Sequence, residues 1–465
     1  MKILRKKIAD GLRGSVILKM LFIGALILLL LIPLNMIIAV ILERETTRAY
    51  AEGDIIGLWG GEQVVGGPIL TVPYIMRKKD QDGNIQEFRE LAHFLPESLR
   101  FSGNVIPQTR SRGIYEVTVY NAEIGISGAF KRPDFSDWRI MDSDILWEDA
   151  YLSVELPDMR GLKEKVRLVW GRQEMDFQAG KGSLGMFAGE IWSPVSGVRG
   201  WPPEERASFS LSLVMSGGRS LSFLPLGAET RVALSSPWVS PSFSGSFLPA
   251  SRTLSEDGFE AEWYVLSLAR SYPQKWKHGE IDPESVHMSW FGVDLMVPVD
   301  SYMKTLRSVK YGILFIFLPF VTLFLFEVFS GIKIHPLQYL LVGFATTLFY
   351  LLLLSVSEHL SFNLTYLLSS LATVSLITFY SNAVLTTWRR TAVLAPVLSS
   401  AYLFLYVLLQ SEDYALLIGS LGLFVILAGI MIVTRRVDWY GLGQPKPSLD
   451  NKLSLDNKAS LDKEE

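Results

Sequence analysis

Residues 16–42 read VILKMLFIGALILLLLIPLNMIIAVIL. Such a stretch of about 27 largely apolar residues exceeds the roughly 20 that a helix needs to cross a hydrocarbon core. It follows Lys2, Arg5, Lys6, Lys7 and Arg13 and contains Lys19. That basic lead resembles the start of a signal peptide, but the apolar part is too long and no small-x-small cleavage site follows it. The stretch therefore predicts an uncleaved signal anchor with a cytoplasmic basic N-terminus, residues 1–15.

Five more apolar stretches lie towards the other end: Tyr311–Phe329, Leu337–Val356, Phe362–Leu385, Thr391–Leu409 and Ala415–Thr434. With the first they predict six spans, the last five forming a block at 310–436. Cations alternate between the short connections: Lys333, then Arg389 and Arg390, then Arg435 and Arg436, whereas Ser357-Glu358-His359 and Ser411-Glu412-Asp413 carry no Lys or Arg. The positive-inside rule then places both termini in the cytoplasm. Lys304, Arg307 and Lys310 fall on the opposite side, but charges on a long translocated domain weigh little in that rule.

Residues 43–309 contain no apolar run long enough to span, and they alternate with period two. Tyr115, Val117 and Val119 show it, as do Phe259, Ala261, Trp263 and Val265. The clearest case is Phe209, Leu211, Leu213 and Met215, interleaved with Ser208, Ser210 and Ser212. This pattern buries one face of a strand and wets the other. Ten of the 12 Trp lie here and can fill space between sheets. The expectation is an extracytoplasmic, mainly-β sandwich of one or two lobes, with Gly217-Gly218 as a hairpin turn before Leu221 and Phe223. Residues 437–465, with Ser-Leu-Asp repeated at 448, 454 and 460, read as a disordered cytoplasmic tail.

Composition closes several routes. The net charge of -3 offers no basic field for nucleic acid, and the absence of cysteine excludes disulfides, thiolate metal sites and thiol nucleophiles. No H-E-x-x-H, G-x-S-x-G or Walker loop occurs. Gly180 to Gly185 matches G-x-G-x-x-G, yet Arg172–Asp176 before it is too polar for the buried strand that a dinucleotide site requires, so a surface loop is the reading. His93, His278 and His287 are scattered and read as structural or surface groups. Neither a cofactor nor a metal is expected.

Four polar positions stand out in the helix block. Glu327 lies near the end of the second span, where a carboxylate must face protein, water or the interface; Lys333 is its expected partner, and a proton-carrying or substrate-contacting role inside the bundle its alternative. His335, before Pro336, reads as a helix-start signal. Glu358 and His359 mark the far end of the third span, as interfacial caps or as a pH-sensitive corner. Pro319 should kink the second span without marking a transporter.

Several blocks of the sequence are similar to the CreD-like inner-membrane family, described as cell envelope integrity proteins. They are Gly67-Pro68-Ile69-Leu70-Thr71-Val72-Pro73, Phe94-Leu95-Pro96-Glu97-Ser98-Leu99, Asp158-Met159-Arg160-Gly161, Phe247-Leu248-Pro249, and the membrane block from Lys310-Tyr311 through His335–Gly343 to Ser357-Glu358-His359. Asp438-Trp439-Tyr440 closes the last span in the same way. The resemblance implies an inner-membrane protein tied to envelope integrity and to regulation by a two-component sensor system. It assigns no catalytic residue. The expected activity is non-enzymatic binding or sensing by the β domain, with membrane lipids and an envelope component or protein partner as its partners. The alternatives are transport or lipid handling by the helix block, and a hydrolase built on a carboxylate pair in the β domain.

Overall fold

The computed structural model describes residues 16–435 and 437, except 83, 181–184, 203, 296–300, 331, 333, 386 and 412–413. The basic N-terminus, Lys333, Arg436, the Asp438-Trp439-Tyr440 block and the repetitive tail lie outside the described residues. The chain divides into two compact units, 47–299 and the combination of 1–46 with 300–465.

The first helix, α1, runs from Val16 to Trp59 and contributes to both units. It continues well past Leu42 because Glu43–Trp59, although polar, contains good helix formers and no proline. Between Met20 and Leu42 α1 is apolar on nearly every face, yet its buried positions, Leu26, Leu30, Leu34, Ile37 and Ile41, form one stripe. Glycines on two later helices receive that stripe: a Cβ at Gly312 would meet Leu34, and one at Gly343 would meet Leu30. Small residues let helices approach closely where lipid supplies no hydrophobic drive.

After α2 (Pro283–His287), the remaining helices are α3 Ser301–Lys310, α4 Gly312–Ser330, α5 Pro336–Ser357, α6 Phe362–Leu385, α7 Trp388–Gln410 and α8 Ala415–Thr434. Among the described residues, six helices are long and apolar enough to cross a membrane: α1 and α4 to α8. The sequence reading did not isolate α3, whose Tyr302, Leu306 and Val309 are buried while Met303 and Lys310 are exposed. Its ten residues are too few to register as a span.

The other unit is a sandwich. In chain order its strands are β1 Gln63–Lys79, β2 Ile85–Phe94, β3 Ser98–Arg112, β4 Tyr115–Lys131, β5 Tyr151–Leu156, β6 Arg167–Trp170, β7 Gln173–Asp176, β8 Gln178–Ala179 and β9 Gly189–Pro194. Then come β10 Arg206–Gly218, β11 Ser220–Phe223, β12 Glu229–Ser236, β13 Pro241–Gly245, β14 Ser251–Ser255, β15 Gly258–Leu266, β16 Lys275–Lys277 and β17 Phe291–Leu295. One sheet is ordered β13-β17-β11-β1-β5-β9-β8, with β2 and β16 attached beside β1; the other is ordered β14-β15-β12-β3-β4-β10-β6-β7. Aromatic rings bridge the sheets: Phe101 meets Phe223 at 4.9 Å, and Trp263 meets Phe291 at 5.9 Å. A single core cluster draws from both sheets, so the sandwich has one lobe.

The alternation read from the sequence holds on β10 and β15, where every apolar member is buried. On β4 it splits. Val117 and Val119 pack under Ile56 and Trp59 of α1, whereas Tyr120 to Phe130 serve the main core.

The expected hairpin at Gly217-Gly218 is not there. Both glycines belong to β10 and pair with Tyr120 and Val119, and the chain then crosses from one sheet to the other. Positive φ falls on Arg219 instead, at 61°. Lack of a side chain is what these glycines supply, because a Cβ at Gly217 would meet the Tyr120 ring and one at Gly218 would meet Ile56. Residues 181–184 of the Gly180–Gly185 motif lie outside the described residues; among the described residues after Gly185 no helix follows before β9, so the helix that a dinucleotide site requires is not found there.

Candidate functional site

Glu327 is buried near the end of α4, 8% exposed. Lys19 of α1 forms an ion pair with its carboxylate. The Tyr339 hydroxyl donates to its other oxygen at 3.2 Å, and the Ile334 N–H donates at 3.3 Å. The expected partner Lys333 lies outside the described residues. Sequence reasoning missed Lys19 because the pair is 308 positions apart.

His335 sits close by in sequence but performs a different task. Its Nδ1 accepts the Leu337 N–H, and its own N–H donates to Gln338 Oε1, which together close a capping box at the start of α5. At the other end of α5, Glu358 approaches Arg44 of α1, with Nε 3.7 Å away, and accepts a hydrogen bond from the Tyr302 hydroxyl at 3.2 Å. His359 is exposed beside it. The four flagged residues thus occupy two opposite ends of α5 and do not form one site.

The β unit holds buried polar pairs and, beside them, a second kind of polar grouping. Glu155 and Glu190 face each other across β5 and β9 and are 1% and 6% exposed. The Met186 and Phe187 N–H groups donate to Glu155 at 2.9 and 3.2 Å. These carboxylates are buried rather than presented to solvent. His93 and His278 come within 3.3 Å, but among the described residues no three His, Asp or Glu converge in a way that could hold a metal.

The second grouping is a trough on the outer face of the larger unit's eight-stranded sheet. Register places Glu262, Ala233, Ser102, Gly125 and Ser212 in one row across β15, β12, β3, β4 and β10. Small side chains at four of these five positions leave a low floor. Two residues along each strand, the next row brings Tyr264, Arg231, Arg100, Ser127 and Ser210 together. On the opposite side stand Glu260, Ser235, Asn104 and Glu123. A basic wall with one aromatic ring therefore faces an acidic and amide wall. Adjoining cavities of about 520 and 320 Å³, which share Ala233 and Glu262, occupy the space.

The charges here lack ionic partners among the described residues, although the Ser251 hydroxyl donates to Glu262 at 3.4 Å. Most arginines of this unit pair with carboxylates, as Arg77 does with Asp144 and Arg219 with Glu52. Among the described residues, Arg100, Arg231, Glu123, Glu260 and Glu262 form no ion pair; Arg231 lies over the Tyr264 ring at 5.0 Å. At about 4.8 Å per strand, the five-strand floor is roughly 19 Å long, enough for several units of an extended chain. Sequence alternation marks each residue as outward-facing, but only pairing register brings the rows together.

Comparison with known proteins fits this architecture. The family model described as "Inner membrane protein CreD" matches residues 15–440. The chain belongs to the CreD family of inner membrane proteins. Inner membrane protein CreD of Escherichia coli is 33% identical over 432 residues, covering 92% of this chain and 94% of that one. CreD proteins thus supply the frame in which both the helical unit and the β unit are read: a multi-pass inner membrane protein. Among solved structures, an M1 zinc metallopeptidase from Deinococcus radiodurans matches 37% of this chain and 39% of its own, at 8% identity and a TM-score of 0.18. That overlap carries no argument about fold or activity.

Proposed function

We propose that this CreD-family protein supports the cell envelope as a non-enzymatic binding or sensing protein. In this reading the β unit lies outside the cytoplasm with both chain ends inside, and its trough takes an envelope polymer that bears both carboxylates and amines. The observation that carries it is the pair of opposed charged walls over a floor of small residues. Unpaired charges on a concave face gain from a ligand of complementary pattern, and they set orientation as well as affinity. The alternation of cations in the short helix connections supports the placement. Glu327, engaged by Lys19, Tyr339 and Ile334 at one end of the bundle, suits a clamp better than a carrier of protons across it.

The test uses full-length protein in detergent and purified peptidoglycan sacculi, whose stem peptides carry both kinds of charge. The wild type should co-sediment with sacculi, and the double variant Arg100→Glu/Arg231→Glu should lose at least about tenfold in binding, as expected when two charged contacts turn repulsive. Equal sedimentation of both proteins would remove the trough from the account.

A further inference from the structure

Helix α8 touches little of the bundle. None of its residues is buried, and its glycines face α7, Gly422 against Phe404 and Gly419 near Leu408. Between α8, α7 and α4 lies an apolar groove formed by two adjoining cavities of about 390 and 520 Å³. Leu314, Phe315 and Phe404 line both, and Ile27 of α1 closes one side of the larger. Leu, Phe, Ile and Gly dominate its surface, and the Ser400 and Ser420 hydroxyls donate to carbonyls of their own helices, so the middle of the groove offers little to water.

The larger cavity is bounded at one end by Lys310 and Tyr311. Lys310 ends α3, the short amphipathic helix that also carries Lys304 and Arg307. Lys304 is committed, donating to Gln410 at 3.1 Å and lying 5.5 Å from the Phe362 ring centre. Lys310 is exposed and has no carboxylate partner among the described residues. An amphipathic helix with cations beside an apolar slot has the composition of an interfacial lipid site.

We propose that this groove is a binding site for an anionic phospholipid, with an acyl chain between α4 and α8 and the phosphate at Lys310. The charge complementarity of Lys310 selects a phosphate-bearing anionic lipid over a zwitterionic one, and the depth of the groove selects a chain-bearing ligand over free phosphate. The proposal also gives a role to Lys310, a cation that stands against the charge pattern of the short connections: it serves a head group rather than topology. It is independent of the trough in the β unit.

Full-length protein is incubated in mixed micelles with equal amounts of phosphatidylglycerol and phosphatidylcholine, re-purified, and its retained lipid measured by mass spectrometry. The wild type should retain phosphatidylglycerol several-fold over phosphatidylcholine. Lys310→Gln should bring the ratio close to the input, and Ala401→Phe, which fills the groove without changing charge, should lower retention of both lipids. Excess inorganic phosphate should displace neither. An input-like ratio in the wild type, an unchanged ratio in Lys310→Gln, or displacement of the lipid by inorganic phosphate would each overturn the proposal. Thermal transitions matching the wild type show that the variants are folded, and Leu314→Trp provides a second groove-filling variant if Ala401→Phe is not.

Discussion

Lys19 and Glu327, 308 positions apart, form an ion pair that ties the start of α1 to the end of α4. A second contact, Arg44 with Glu358, ties α1 to the end of α5. Lys19 and Arg44 are separated along α1 by about 37 Å at 1.5 Å per residue, slightly more than the roughly 30 Å of a hydrocarbon core. The charges therefore sit at two levels that frame an apolar span, where a polar group is least costly. Between them the Leu26 to Ile41 stripe packs against glycines. Helix α1 is thus an integral member of the bundle rather than a detachable anchor.

Removing one partner of the first pair should expose that role. Lys19→Ala leaves the Glu327 carboxylate buried without its cation, and a loss of about 1–3 kcal/mol is expected, below the 3–5 of a fully buried pair because Lys19 is partly exposed. The measurement is the thermal transition of purified protein in detergent. Glu327→Gln, which keeps bonds to Tyr339 and Ile334 within reach, should lose less, and the exchanged pair Lys19→Glu/Glu327→Lys should recover part of the loss. Wild-type stability in Lys19→Ala would mean that the pair contributes nothing.

Gly217 marks a second sensitive point. A Cβ there would come within 2.4 Å of the Tyr120 hydroxyl, which donates to the Ser220 carbonyl at 2.7 Å. Tyr120 is fully buried and has nowhere to retreat. Gly217→Ala should therefore destabilise the β unit by about 1–3 kcal/mol, the usual range for overpacking. Denaturant titration followed by tryptophan fluorescence reads this unit preferentially, since ten of the 12 Trp lie within 43–309.

Gly217 also shows where sequence reading stops. Long apolar runs located α4 to α8 within a few residues, because burial in lipid imposes one composition on every face. Alternation located β10 and β15 for the matching reason in water. Two adjacent glycines, however, signal either a turn or a close approach, and the choice depends on Tyr120, which is distant in sequence. Lys19 with Glu327, and the rows that join Arg100 to Arg231 and Glu123 to Glu260, are likewise products of long-range pairing. Local pattern shows that such residues face outward or lie at a helix end, and no more. Helix α3 escaped because its cations looked like part of a soluble segment.

His93 gives the β unit a built-in acid sensitivity. Burial, with His278 adding to it, pushes its imidazole down to about 3. A depressed folded value favours the neutral ring, so this contribution to stability is complete above the unfolded value of about 6.5 and is lost as pH falls towards about 3. At pH 5 the loss is on the order of 2 kcal/mol. His93→Gln keeps a polar group facing Thr71 but cannot titrate, and its stability should decline less between pH 7 and pH 5. Parallel declines in the two proteins would assign the acid sensitivity elsewhere.

Orientation can be read directly, since the chain contains no cysteine and any introduced thiol is unique. Ser102, on the trough floor, and Thr387, beside Arg389 and Arg390 between α6 and α7, are both exposed. If the β unit lies outside the cytoplasm, Ser102→Cys should react with a membrane-impermeant maleimide in cells whose outer layer alone has been permeabilised. Thr387→Cys should react only after the inner membrane is broken, because the cationic connection remains on the cytoplasmic face. The reverse labelling order would invert the topology and put the trough on the side of the cell where no envelope polymer could reach it.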